Sequence, residues 1–130
     1  MDASELKRIP LFSHLSKKEL DLISRHADEV SLPAGSVIMH EGDVAREVCV
    51  VLDGTVRVTR GGKVLNDLGP GEVVGEMGVV EAVHRNATVT AVDDVRLVVM
   101  FGPEFTGVSD EIAEVRKGIA EIIARRRAQP

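Results

Sequence analysis

The stretch from Glu29 to Phe101 most restricts what this chain can fold into. It consists of short, Val-rich runs cut apart by turn chemistry at Pro33-Ala34-Gly35, Gly42-Asp43, Asp53-Gly54, Gly61-Gly62 and Gly69-Pro70-Gly71. In Thr55-Val56-Arg57-Val58-Thr59 the period is two, so the valines face one side of a strand and the polar groups the other. The glycine pair that follows suits a hairpin loop, because both central residues of a tight primed turn need positive φ. About eight such strands at eight-to-twelve-residue spacing, with no helix long enough to cross between parallel neighbours, predict an antiparallel sandwich or barrel. The count fits a jelly roll. The expected class is therefore mainly β with flanking helices: an antiparallel β jelly roll (double-stranded β-helix) with an N-terminal and a C-terminal helix.

Both helical flanks carry their own signals. At Ser16-Lys17-Lys18-Glu19 the serine oxygen can accept from Glu19 N–H while the glutamate reaches back, a capping box, and Leu15 and Leu20 have the spacing of a hydrophobic staple. Leu20, Ile23 and Ala27 then form an apolar stripe, and the helix is predicted to end near Ala27. After Pro103 the helical period returns. Ser109 is expected to cap, with Asp110 and Glu111 in the first turn and Arg125, Arg126 and Arg127 in the last, each sign complementing the helix dipole. Ile112, Val115, Ile119, Ile122 and Ile123 make the buried stripe of that helix. Gly118 interrupts it at about 1 kcal/mol relative to Ala, which suits a bend, a close approach of another backbone, or a merely tolerated position. The expected organisation is one domain over 1–130: a helical segment over 1–28, the jelly roll over 29–101, and C-terminal helices over 102–127.

Composition narrows the function. The 130 residues carry 16 Lys+Arg against 21 Asp+Glu, a net charge of −5, and 44% apolar residues are enough for a core without disulfides or a structural metal. Aromatics are 2%, limited to Phe12, Phe101 and Phe105, so stacking platforms and a broad basic face are missing. Direct DNA binding is not expected, the more so because only Ala128, Gln129 and Pro130 follow the last helix and leave no room for a helix-turn-helix. No apolar run approaches membrane-spanning length, and Met1 to Ile9 is charged without the apolar core of a secretory signal. A soluble cytoplasmic protein without membrane contact is expected. Cys49, the single cysteine, lies in the apolar run Val48 to Leu52 and reads as a small buried hydrophobe. His14, His26, His40 and His84 are scattered singly without metal-ligand spacing, and neither a serine elbow nor a Cys-His pattern is present, so no metal and no enzyme chemistry is expected.

The segment 71–89 is too long for a simple turn. Gly75 and Gly78 flank Glu76 in a stretch that can form one helical turn, whose free N–H groups suit an anion, and Arg85 arrives nine residues after Glu76. A carboxylate accepts from hydroxyls, and a guanidinium clamps a phosphate with two parallel bonds. Together these residues suit a ligand with both vicinal hydroxyl and phosphate, a nucleotide or sugar phosphate. Charged pairs beside glycines also serve purely structural ends.

From Leu11 to about Arg125 the sequence resembles the cyclic nucleotide-binding domain family. Gly75-Glu76-Met77-Gly78 followed by Arg85-Asn86-Ala87-Thr88-Val89 resembles the family's phosphate-binding cassette. Leu11-Phe12, Leu32-Pro33-Ala34-Gly35, Glu41-Gly42-Asp43, Leu52-Asp53-Gly54 and Leu68-Gly69-Pro70-Gly71-Glu72 fall in register with its other landmarks. The resemblance implies a jelly roll enclosing cAMP or cGMP, with no metal and no further cofactor. It implies Glu76 as acceptor for the ribose 2′-hydroxyl, Arg85 as partner of the cyclic phosphate, and backbone N–H groups of Gly75, Glu76, Met77, Gly78 and Asn86 around that phosphate. It puts the purine near Val58 and Val64, which also read as ordinary barrel core. It makes one of Ile112, Val115 or Ile119 a lid over the base, whereas ordinary amphipathic packing against the barrel or another subunit accounts for the same stripe.

The implied function is a non-enzymatic sensor that couples cAMP or cGMP to movement of the C-terminal helix, with a protein effector or a second copy of the chain as partner through that helix. The alternative is a nucleotide-independent interaction domain on the same fold. Two residues depart from the family pattern. His84 stands where proline is common, which is expected to loosen the loop and to set a titratable group near the phosphate. Asn86 stands where many cAMP binders have Ala or Ser and many cGMP binders Thr, and its amide suits either a phosphate or a guanine.

Overall fold

The computed structural model describes residues 1–80 and 84–127. Eight strands lie between the helical flanks: β1 (Asp28–Leu32), β2 (Val37–Met39), β3 (Glu47–Asp53), β4 (Val56–Arg60), β5 (Lys63–Leu68), β6 (Val73–Val74), β7 (Thr88–Ala91) and β8 (Val95–Phe101). They form two four-stranded sheets in the orders β1-β8-β3-β6 and β2-β7-β4-β5, with every neighbouring pair antiparallel. This is the jelly roll expected from strand number and turn spacing.

The run Val48 to Leu52 is uninterruptedly apolar because β3 is buried on both faces. Cys49 and Val51 point into the space between the sheets, with Met39, Val56, Leu68, Val74, Val89, Ala91 and Leu97. Val48, Val50 and Leu52 face the other way, into a helical layer. In contrast, β4 has one buried valine, Val56, and one half-buried, Val58, so its alternation reflects a strand wetted on one side. Its hairpin to β5 closes at Arg60 opposite Lys63, with Gly61 at φ +57° and Gly62 at +79°, the two positive angles that the glycine pair supplies without steric cost.

On the N-terminal side, α1 (Ala3–Leu6) and a 3₁₀ turn (Pro10–Phe12) precede α2 (Lys17–His26). The capping box is formed: Glu19 N–H donates to Ser16 Oγ at 3.2 Å and Ser16 N–H donates to Glu19 Oε1 at 2.9 Å. Leu15, Leu20, Ile23 and Ala27 are buried, and α2 ends with Ala27 as its C-cap. Arg96 on β8 ties this region to the sheets, with Nη1 donating to Glu5 at 3.0 Å and to Glu29 at 2.9 Å, and Nε donating to Asp53 at 2.8 Å. Arg8 adds a second, longer bond to Asp53 at 3.3 Å.

The C-terminal flank differs from the expectation. It begins with α4 (Gly102–Glu111), which follows β8 directly and carries Pro103 in its first turn, where a missing N–H costs nothing. Ser109, Asp110 and Glu111 close this helix and do not open the next. The break is at Ile112, at φ −112° and ψ 100°, and α5 (Ala113–Arg127) follows. Arg116 Nη1 donates to the carbonyls of Ser109 (3.3 Å) and Asp110 (2.9 Å), satisfying acceptors that the end of α4 leaves open. Along α5 the expected stripe is observed: Val115, Ile119 and Ile123 are buried with Ile112, and Ile122 is half-buried. They pack with Leu6, Ile9, Phe12, Phe105 and Val108. At Gly118 a Cβ would lie 2.4 Å from Leu11 Cδ1, so this glycine serves a close approach, to a side chain rather than to a backbone.

Candidate functional site

The chain leaves β6 at Gly75, turns there at φ +85°, and enters α3 (Glu76–Val80). A Cβ on residue 75 would lie 2.6 Å from Arg85 Nη1, 2.6 Å from Met39 Cε and 2.8 Å from Met39 Sδ. Only glycine allows both the turn and this packing. Arg85 is 8% exposed, and burying a guanidinium is unfavourable unless its donors are met. Two are met here: Nη1 donates to Gly75 O at 2.8 Å and Nη2 to Glu47 O at 2.5 Å, with the Glu47 carboxylate 3.9 Å from the same arm. The guanidinium has about five N–H donors in all, so it retains capacity for an anion.

The backbone at Arg85 is held from the loop between β2 and β3. Gly42 N–H donates to Arg85 O at 2.9 Å, Arg85 N–H donates to Asp43 O at 2.7 Å, and Val44 pairs with His84. These contacts tie the backbone of His84 and Arg85 to that loop. His84 itself is exposed. Arg60 Nε donates to Asn86 O at 2.8 Å, so β4 braces the cassette from the other side while Asn86 is exposed.

Glu76, the first residue of α3, is only 1% exposed. Its Oε1 accepts from Arg126 Nη1, and the second arm of Arg126 donates to Val73 O. Its Oε2 is buried and has no partner among the described residues. Two guanidinium groups thus meet the chain around Gly75, with Arg85 on its carbonyl and Arg126 on Val73 and Glu76. Gly78 is buried in α3, and Met77 packs partly buried against the helical layer. Glu81, Ala82 and Val83 of the segment 71–89 lie outside the described residues.

The remaining expected contacts are placed less tightly. Val58, half-buried, stands between Val89 on β7 and Asn66 on β5. Val64, on β5 at the edge of its sheet, is opposite Thr59 of β4 and 54% exposed. Ile112, Val115 and Ile119 are buried in the helical layer, so all three lid candidates are engaged in packing. Two hollows flank the site. A recess of about 470 Å³ opens beside Arg85 and is lined also by Met39, His40, Asp43, Arg46 and Glu47. A cleft of about 620 Å³ runs along α5 past Leu11, Asn66, Glu72, Ile122 and Arg126. Cavities of several hundred cubic ångströms are the ordinary size of small-ligand sites.

Arg126 and Glu47 are site residues that the sequence analysis did not single out. Helix-end electrostatics accounted for Arg125 to Arg127 as a group, yet position 126 continues the buried stripe, four residues after Ile122 and three after Ile123. Glu47 contributes chiefly a carbonyl, which no side-chain pattern reveals. Near the arginine, the Cys49 thiol is pushed up to about 12 by burial first and by the Glu47 charge second, with Arg85 pulling the other way. It is a neutral hydrophobe at any ordinary pH. Among the described residues no group of three or more His, Cys, Asp or Glu is arranged to hold a metal ion, and no helix is long and apolar enough to cross a membrane.

A two-sheet roll flanked by helices, with a buried acid and a buried arginine meeting at a glycine turn, defines a small-ligand binding module. The family model for the cyclic nucleotide-binding domain matches residues 29–111, and the chain belongs to that family. It is 32% identical over 126 residues to the cyclic AMP receptor protein of Thermus thermophilus, a match that covers 93% of this chain and 58% of that protein. The crystal structure of the catabolite activator protein of T. thermophilus superposes with a TM-score of 0.81 at 33% identity, covering 90% of this chain and 57% of that one. The regulatory domain of Toxoplasma gondii PKA, in co-crystal with cAMP, gives a TM-score of 0.72 at 25% identity over 82% of this chain and 42% of that one. The chain thus spans little more than half the length of the first of these relatives.

Proposed function

We propose that this domain is a non-enzymatic sensor of a cyclic nucleotide, cAMP in the first instance, and that it passes the binding energy to α5. The observation that carries this reading is the pair of buried ionic groups, Glu76 and Arg85, at 1% and 8% exposure on either side of the Gly75 turn. A cyclic phosphodiester is a monoanion. Arg85 meets it with donors not taken by Gly75 and Glu47, and the N–H groups of Gly75, Glu76, Met77, Gly78 and Asn86 add direction without further charge. Glu76 Oε2 receives the ribose 2′-hydroxyl. Val58 and Val64 offer apolar contact to the purine. Cyclic AMP is preferred over cyclic GMP because the relatives named above are a cyclic AMP receptor protein and a kinase regulatory domain crystallised with cAMP.

The link to α5 runs through Arg126, whose two arms join that helix to Glu76 and Val73. A ligand shifts a helix only by binding one of its positions more tightly, by about 1 to 3 kcal/mol in coupled systems. The receiver is a protein effector or a second copy of the chain, docked through the C-terminal helices, in the cytoplasm where soluble second messengers act.

Calorimetric titration with cAMP and cGMP tests the reading. Heat of binding is expected from at least one of them, with Arg85→Ala weakening it roughly 10- to 150-fold, the worth of one charged hydrogen bond. Arg57→Ala, which removes an exposed pair with Asp67, is expected to leave it within about twofold. Absence of heat at millimolar nucleotide overturns the reading and leaves a nucleotide-independent interaction domain on the same fold.

A further inference from the structure

Residues directly opposite one another in a sheet share a face, and across the sheet β2-β7-β4-β5 one such row runs from Val89 on β7 through Val58 on β4 to Asn66 on β5. The neighbouring row is Ala91, Val56 and Leu68, all buried between the sheets. Every member of the two rows except Asn66 is apolar, so a carboxamide closes the outer end of the face that turns inward. The register shifts after Asn66 and leaves Val64 opposite Thr59, which makes the amide the neighbour of Val58 on that strand. Asn66 is exposed, and its amide has no hydrogen-bond partner among the described residues. It borders the cleft along α5 with Arg126, but both arms of that arginine are committed to Glu76 and Val73. A solvated amide at the end of an apolar row adds nothing to packing, and it offers directed hydrogen bonds to a ligand seated on that row.

We infer that Asn66 is a specificity-determining residue that reads the base of the bound nucleotide and favours adenine. The inference rests on the sensor reading, in which Val58 carries the purine, and adds the group that tells one purine from another. A carboxamide sets a carbonyl acceptor beside N–H donors. Adenine presents the matching pair, a 6-amino donor next to the N7 acceptor, and takes two parallel bonds. The same edge of guanine presents O6 and N7, both acceptors, so one bond forms and the amide oxygen is left facing a lone pair.

Calorimetric titration with cAMP, with cGMP and with purine riboside 3′,5′-cyclic monophosphate, which lacks the 6-amino group, tests this. The wild-type chain is expected to bind cAMP about tenfold more tightly than either of the others, in the lower part of the range for a two-bond contact because Asn66 is exposed. In Asn66→Ala the three affinities are expected to lie within about threefold of one another, through weaker cAMP binding. Asn66→Lys donates to O6 and N7 and is expected to reverse the order of cAMP and cGMP. Its added charge acts on all three monoanions alike and drops out of the ratio. If Asn66→Ala does not fold, the reversed order in Asn66→Lys carries the test alone.

A wild-type chain that binds cAMP no better than the analogue without the amino group, or an Asn66→Ala chain that keeps the tenfold preference, overturns the inference while the sensor reading stands. A wild-type chain that binds none of the three overturns both.

Discussion

Gly75 and Arg85 are a matched pair: a Cβ on residue 75 would lie 2.6 Å from Arg85 Nη1, at a backbone φ of +85°. Two penalties therefore fall on Gly75→Ala, one from the left-handed backbone and one from displacing the guanidinium and Met39. The backbone strain alone costs about 1 to 3 kcal/mol, a fall in Tm of roughly 4 to 12 °C for a domain of this size. Because the displaced group is the phosphate partner, nucleotide affinity is expected to drop further than stability does. Thermal unfolding and calorimetry on the same variant check this, and a wild-type Tm would refute the packing argument.

Gly118 presents a different balance. Replacing a helical glycine by alanine ordinarily stabilises by about 1 kcal/mol, but here the new methyl meets Leu11 Cδ1 at 2.4 Å. Leu11 is the far end of a flexible side chain, so the clash is relieved by moving it out of its half-buried site. Gly118→Ala is expected to give no net gain in the wild-type background and to give a gain approaching 1 kcal/mol when Leu11 is also alanine. A double-mutant cycle by urea unfolding measures the coupling, and strict additivity would remove it.

The exposed charges around Arg96 set the behaviour in acid. The hydrogen bond from Arg96, with a smaller share from Arg8, holds the Asp53 carboxyl below its ordinary value of 3.8, and Arg57 does the same for Asp67. Their folded values are depressed, so the stabilisation is present above pH 4 and is lost as pH falls through the folded values. Asp53→Asn is expected to lower Tm slightly near neutrality and to converge with the wild type as the pH falls from about 4 to 2, so that its fall in acid is flatter. Added salt is expected to act in the same direction, because these groups are exposed and screened. Tm measured against pH at two ionic strengths checks both statements.

The Cys49 thiol, pushed up to about 12 and 2% exposed, is expected to resist modification in the native chain at pH 8 and to react at once in denaturant. Labelling with a thiol reagent followed by mass measurement reads this directly. Fast native labelling would mean that β3 opens.

These residues also indicate which parts of the molecule were legible beforehand. The capping box at Ser16, the hairpin at Gly61-Gly62 and the burial of Cys49 within its apolar run follow from local pattern, and the structure bears out each of them. Ser109 misled because a serine followed by two acids also occurs at the end of a helix when another residue, here Arg116, covers the open carbonyls. Glu76 and Arg85 were singled out by the resemblance to a known cassette, their spacing beside glycines being compatible with a purely structural pair as well. Arg126 was not, since its partner is 50 residues away and an arginine beside two others at a helix end already has a sufficient local explanation. Contacts that depend on a carbonyl, such as Glu47 with Arg85, carry no residue-type signature at all.

The seating of Leu6, Ile9 and Phe12 against Val115, Ile119 and Ile123 bears on the order in which the molecule assembles. The two apolar groups lie more than 100 residues apart in the sequence, with the whole roll between them. A nascent chain that has completed its roll but not α5 carries an uncovered greasy seat there until that helix is made. Such long-range closure slows folding, so within this domain α5 docks after the strands have paired, and the state just before is the one most exposed to chaperones and to aggregation.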